Sequence, residues 1–313
     1  MMKGSAALVV AALLAIAGCG GGGGSGSSSN GGTETASATS PTPASAPAPA
    51  TNPAPRQPSP TGFPTLRQAF STGASVSTYQ DLIYSNSSRV RIEPDLSVTV
   101  MGFADRRTFP IDAGPDRGLR RFESADGSRI LYRSLPEEPA HGVNLQYVSY
   151  GAWVDGDFPF SNVFRQGGLF YVGTAAFQQG GRSAVRQSAG VARYAGGAIA
   201  FEYNADQGTR RILDTLSGPM RATADFDLSR VAIEIDLERA DGRPWGSIAG
   251  DSLRISTWPF SGNITSTNGH WGNLSGHFWG PGSQEMAGTF SLLPRSRESP
   301  DFVRGVFGGA QTP

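Results

Sequence analysis

The stretch Arg230-Val-Ala-Ile-Glu-Ile-Asp-Leu-Glu238 alternates strictly. Val231, Ile233, Ile235 and Leu237 share one side; Glu234, Asp236 and Glu238 share the other. Successive side chains of an extended chain point to opposite faces, so this spacing predicts a strand with one buried and one wet face. Similar runs lie at 145–154, 169–177, 190–203, 218–228, 252–265, 272–279 and 285–293, most of them separated by Gly, Asn, Asp or Pro. Eight strands in about 150 residues is the spacing of an antiparallel barrel or sandwich. Eight strands close around an interior just filled by side chains.

The remainder of the chain divides by composition. Residues 1–18 have the form of an export signal: Lys3, then an apolar run from Ala6 to Ala17. That run is shorter than the roughly 20 residues a spanning helix needs and has the length of a signal-peptide core. It ends in Ile16-Ala17-Gly18-Cys19, which resembles the lipobox of bacterial lipoproteins, where cleavage leaves the Cys as the lipidated N-terminus. An ordinary cleaved signal with an incidental Cys is the alternative, but the only Cys of the chain falls where the motif needs it. Residues 19–62 are nearly all Gly, Ser, Ala, Thr, Asn or Pro and carry no large apolar side chain after Cys19, so they read as a disordered tether. A flexible coil of that length reaches roughly 35–40 Å. Residues 63–143 are less regular and read as a smaller β-rich handle, with strands at 97–103 and 129–135 and one short helix at 66–70. Residues 144–313 read as the barrel. The expected fold is therefore all-β: an eight-stranded antiparallel soluble β-barrel with a small handle, preceded by a lipoprotein signal and a tether. The acidic outward positions of the 230–238 strand exclude a lipid-facing surface there.

Charge and composition narrow the chemistry. The 26 basic and 26 acidic residues cancel, which argues against a nucleic-acid binder working through a broad basic surface. Lys3 is the only lysine, so Schiff-base and P-loop chemistry lack their residue in a mature chain. Gly250-Asp-Ser-Leu253 spells the tetrapeptide of a lipase family, but neither His270 nor His277 has an Asp three positions ahead. Ser252 thus lacks the base and orienting carboxylate that would activate it. His270 and His277 with Glu285 match no metal-ligand spacing, and the Asp225/Asp227 pair reads as solvated. We expect no cofactor, no metal and no enzyme activity.

Four stretches near the C-terminus belong together: 260–266 (Phe-Ser-Gly-Asn-Ile-Thr-Ser), 276–281 (Gly-His-Phe-Trp-Gly-Pro), 284–290 (Gln-Glu-Met-Ala-Gly-Thr-Phe) and 305–309 (Gly-Val-Phe-Gly-Gly). Together they resemble the barrel domain of transferrin-binding protein B, over about 145–310. The chain keeps the family's Gly276, Phe278, Trp279, Gly280, Pro281, Glu285, Gly288 and Phe290, with Ser283 where the family usually has Ala. These residues read as specifying the barrel, with Glu285 placed to pair with an Arg or to accept backbone hydrogen bonds at the rim. The glycines at 272, 276 and 280 are expected on one strand face.

The resemblance implies a lipoprotein of the outer membrane, anchored through lipid only and facing the cell surface. Such proteins capture a protein or solute ligand, typically an iron carrier, and work with a TonB-dependent receptor. Family members specific for transferrin are mostly bilobed, whereas this chain has room for one barrel. No motif for transferrin is present, and no ligand-binding residue is carried over. A structural envelope lipoprotein without a dedicated ligand is the other reading. For a binding protein, recognition is expected in the connections 155–168, 178–188 and 204–217, with Phe158, Phe160 and Phe164 as aromatic anchors and Arg210 and Arg211 facing an acidic partner.

Overall fold

The structure, a computed structural model, describes residues 76–81, 89–92, 98–102, 105–135, 138–155, 166–173, 185–186, 188–204, 211–256, 259–294 and 301–313. All belong to the unit Thr51–Pro313. The signal, Cys19, the tether and the short helix expected at 66–70 lie outside the described residues. Among the described residues only Val185 and Arg186 are helical.

Strands before residue 190 are β1 (Val76–Asp81), β2 (Arg89–Ile92), β3 (Val98–Gly102), β4 (Asp105–Arg107), β5 (Ile111–Asp116), β6 (Leu119–Glu123), β7 (Arg129–Arg133), β8 (Pro139–Ala140), β9 (Val143–Asn144), β10 (Ser149–Asp155) and β11 (Gln166–Gly173). They form a six-stranded sheet in the order β1-β11-β10-β7-β6-β5, a three-stranded sheet β2-β3-β4 and the pair β8-β9. We call this part the handle. The strands that follow are β12 (Val191–Asn204), β13 (Arg211–Asp225), β14 (Arg230–Glu238), β15 (Pro244–Ile255), β16 (Pro259–Ser266), β17 (His270–Trp279), β18 (Glu285–Pro294) and β19 (Asp301–Gln311). These eight run antiparallel in sequence order and close into a barrel where β12 meets β19, from Tyr194 opposite Gln311 to Asn204 opposite Asp301.

The barrel has eight strands, as expected, but not the same eight. Runs 145–154 and 169–177 contribute β10 and β11 to the handle sheet instead. Their sequence carries the reason. Leu169-Phe-Tyr-Val172 is a continuous apolar run, all four residues are buried, and a strand covered on both faces reads that way rather than as alternation. Two other strands take their places. The run 252–265 breaks at Pro259, which opens β16 where no ladder N–H is needed. The stretch 305–309 extends into the closing strand β19. The strand expected at 218–228 begins at Arg211, so much of the supposed loop 204–217 is sheet.

Inside the barrel, Val231, Ile233, Ile235 and Leu237 are almost fully buried. On the outside, Arg221 of β13 bridges Glu234 and Asp236 of β14 at 3.5 and 2.8 Å. Aromatic rings fill the centre: Phe260 lies 5.1 Å from Phe278 and 6.3 Å from Phe307, and Tyr194 lies 5.9 Å from Phe278. Gly276 and Gly288 sit opposite each other on β17 and β18, and their missing side chains make room for those rings. A Cβ at Gly276 would stand 2.5 Å from Phe260 Cζ; one at Gly288 would stand 2.2 Å from Ser275 O and 2.7 Å from Phe307 Cζ. Gly280 departs from the expected face, because the chain has left β17 and turns there with φ +84°.

Gly288→Ala is expected to lower stability by about 1–3 kcal/mol, as overpacked cores do. Ser275→Ala, on the outer face one strand away, should stay within about 0.5 kcal/mol of wild type. Thermal unfolding of the two variants checks the contrast.

Candidate functional site: the handle–barrel seam and the barrel ends

A second apolar core joins handle to barrel. Ile199 and Phe201 of β12, Ile212, Trp279, Ala287 and Val306 face outward from the barrel and pack with Tyr150, Ala152, Leu169 and Tyr171 of the handle. Close approach requires glycine on both sides. Trp279 lies over Gly173, where a Cβ would meet its ring at 2.1 Å, and Tyr150 lies over Gly308, where a Cβ would meet its ring at 2.3 Å. Tyr171 donates or accepts a 2.7 Å hydrogen bond with His277 Nδ1 and meets Trp279 edge-on at 6.3 Å.

The turn after β17 locks this seam. Gly280 and Ser283 both have left-handed backbone, φ +84° and +57°. Tyr194, inside the barrel, donates to Ser283 O at 2.6 Å, and Gln311 N donates to Gln284 O at 2.7 Å. The turn then delivers Glu285, 3% exposed, to the segment that leads into β10. Its Oε1 accepts the amide of Gln146 at 2.5 Å; its Oε2 accepts the amides of Tyr147 and Val148 at 2.8 and 2.9 Å. Of the two partners the sequence suggested for Glu285, it takes the backbone. Burial pushes this carboxyl up to about 7, against the pull of the three amides.

The motif residues therefore have two duties. Gly276, Phe278, Gly288 and Phe290 build the barrel interior, while Trp279, Gly280 and Glu285 join the barrel to the handle. Pro281 is buried in the same turn.

At the opposite barrel end, where β12 passes to β13, a polar cluster fills the mouth. Glu202, 6% exposed, accepts Arg239 Nη1 at 2.6 Å and Trp245 Nε1 at 2.9 Å. Arg239 also bridges Asp214 at 3.3 Å. Trp245 in turn packs against His270, ring centroids 5.5 Å apart. The sequence holds a signal for this cluster: Ala198 and Ala200 point inward, so Glu202 stands at the next inward position of β12, where an acid needs partners.

The remaining sequence candidates separate. His270 points into the barrel and His277 out of it toward Tyr171, so one ion cannot take both. Among the described residues no group of three or more His, Cys, Asp or Glu is placed to hold a metal. Ser252 is exposed on β15 in a depression whose other lining residues are Leu228, Ser229, Arg230 and Arg254. Of the recognition candidates, Phe158, Phe160, Phe164 and Arg210 lie outside the described residues, and Arg211 opens β13.

Glu285→Ala removes the acceptor of one buried and two part-buried amides and should cost about 2–3 kcal/mol. The pH dependence has a definite sign. The carboxyl goes from its usual 4.5 to about 7 on folding, so the folded chain holds the extra proton between those values. Its contribution is full below about 4.5 and is lost as pH rises through about 7. Wild type should therefore lose stability against Glu285→Gln between pH 5 and 7.5; melting curves across that window read the difference.

Residues 166–311 match the family model described as C-lobe and N-lobe beta barrels of Tf-binding protein B. No curated protein matches. Among solved structures, the chain is similar to isotype 1 transferrin binding protein B of serogroup B Neisseria meningitidis, with TM-score 0.50 and 16% identity over 77% of this chain and 44% of that one. It is also similar to a point variant of transferrin binding protein B from Haemophilus parasuis Hp5 (TM-score 0.48, 14% identity, 76% and 44% covered). A third is HpuA of Kingella denitrificans, solved in complex with human haemoglobin (TM-score 0.42, 17% identity, 77% and 89% covered). The chain spans less than half the length of the two transferrin-binding proteins, and at these identities the likeness is one of fold. The barrel that β12–β19 close is a transferrin-binding protein B-like β-barrel.

Proposed function

We propose that this protein is a lipid-anchored binding protein of the outer membrane, facing the cell surface, that captures a protein ligand of the iron-carrier kind and works beside a TonB-dependent receptor. The observation that carries the reading is the filled barrel. Phe260, Phe278, Phe290 and Phe307 occupy its centre, so no room is left there for a solute, and recognition falls to the connections between strands and to the handle surface. The barrel family, whose model is drawn from Tf-binding protein B, supports a protein as the ligand. Cys19 would carry the lipid, and residues 20–62 would let the folded part reach beyond the headgroups.

The test is capture by the full-length protein on cells, with transferrin, haemoglobin and other iron proteins as baits. Replacing 156–165 and 205–210 with short Gly-Ser turns should abolish capture without unfolding the barrel, and Cys19→Ser should release the protein from the membrane. Capture unchanged by both loop replacements, or membrane retention of a mature Cys19→Ser chain, would contradict the proposal. Failure of every bait, with no induction under iron limitation, would favour the structural envelope role.

A further inference from the structure

Between β5, β6 and β7 of the handle and β13 of the barrel lies a cleft of about 340 Å³. Ile130 and Ile212 give it apolar walls, and Leu213, still 48% exposed, stands at its opening. One wall is built at a conformational disadvantage. Arg117 and Gly118 form the β5–β6 turn with φ +52° and +74°. Two successive left-handed residues make a turn that favours Asn, Asp or Gly first, and a long side chain there is disfavoured. That the position holds arginine points to a use for the guanidinium.

Arg117 Nη1 reaches across the seam to Thr215 O at 3.5 Å. Its Nε is buried with no acceptor among the described residues, and so is the Nε of Arg121. Thr215, 1% exposed and lining the cleft from the barrel side, has no partner for its hydroxyl among those residues either. The carboxylates nearby are already matched. Asp116 accepts from the Tyr132 hydroxyl at 3.3 Å and lies 3.7 Å from Arg121 Nη1. Arg121 Nη2 holds Glu123 at 2.6 Å. Asp214 accepts the amides of Thr215 and Ala240 and the guanidinium of Arg239. What remains unmatched is a set of donors: two guanidinium N–H groups and a hydroxyl, in an apolar-walled cleft. A carboxylate is the group that satisfies them together, since its two oxygens accept several N–H and O–H donors at once and its charge matches a guanidinium.

We propose that this cleft receives the carboxylate of a glutamate or aspartate side chain on a captured protein, with an apolar neighbour of that residue resting on Leu213. The proposal rests on the protein-capture reading, and its test works without the partner. The probes are N-acetyl-Leu-Glu-amide and N-acetyl-Leu-Gln-amide, equal in size and differing in one charge. Saturation-transfer NMR with the full-length protein in detergent should show saturable binding of the Glu peptide, about tenfold tighter than the Gln peptide, the order of one charge-assisted contact. Raising salt from 50 to 500 mM should weaken the Glu peptide alone. Arg117→Asn, which the left-handed turn accepts, and Arg121→Gln should each remove the preference while the melting temperature holds. Equal binding of both peptides, no saturable Glu signal, or a preference that survives Arg117→Asn would overturn the proposal. If the Glu peptide binds and no protein is captured, the capture reading alone fails; if a protein is captured and the peptide preference is absent, the cleft assignment alone fails.

Discussion

One buried carboxylate ties the two halves of this protein together. Glu285 sits at the first position of β18, where the barrel sheet begins again after the turn at 280–284, and its oxygens accept three consecutive amides from the segment entering β10. Those amides lie outside any ladder, at the point where the handle chain passes over the barrel rim. Without an acceptor, the buried amide of Val148 would be a donor left unmade, and those of Gln146 and Tyr147, part-buried, would lose their partner. The carboxyl bears a desolvation cost for this, visible as its raised protonation range, so polar satisfaction and burial oppose each other in one side chain. The apolar seam of Trp279, Tyr171, Phe201 and Ile199 excludes water around it and makes the amide contacts count.

This arrangement explains why glycine recurs where the two halves meet. Gly173 and Gly308 admit Trp279 and Tyr150, and Gly197 of β12 admits the His141 ring, which a Cβ would strike at 2.0 Å. Burial keeps that histidine neutral down to about 4. A seam this close is set by contact on both sides, so a change of size on one side has to be met on the other.

The barrel was legible because its strands keep one wet face: β14 reads from its sequence alone. Strand membership was not, since alternation reports burial and says nothing about which sheet a strand joins. The continuous apolar run of β11 was the available signal that it is covered twice. The motif from Gly276 to Phe290 could be read as fold-specifying, yet its division between barrel interior and seam arises only in the folded chain, because Phe278 and Trp279 are neighbours in sequence that face opposite ways. Arg117 carries a weak signal, a cation before glycine in a hairpin, and its reach to Thr215 spans 98 residues of sequence.

The central claim is that the Glu285 carboxylate holds the handle on the barrel. Amide hydrogen exchange, compared between wild type and Glu285→Ala, tests it directly. The account predicts that Gln146, Tyr147 and Val148 exchange slowly in wild type and lose protection in the variant, by at least about tenfold at each and most at Val148, whose amide is the buried one. β10 and β11 should follow, while β13, β14 and β15 keep their protection. Unchanged exchange at 146–148, or an equal loss throughout the barrel, would contradict it.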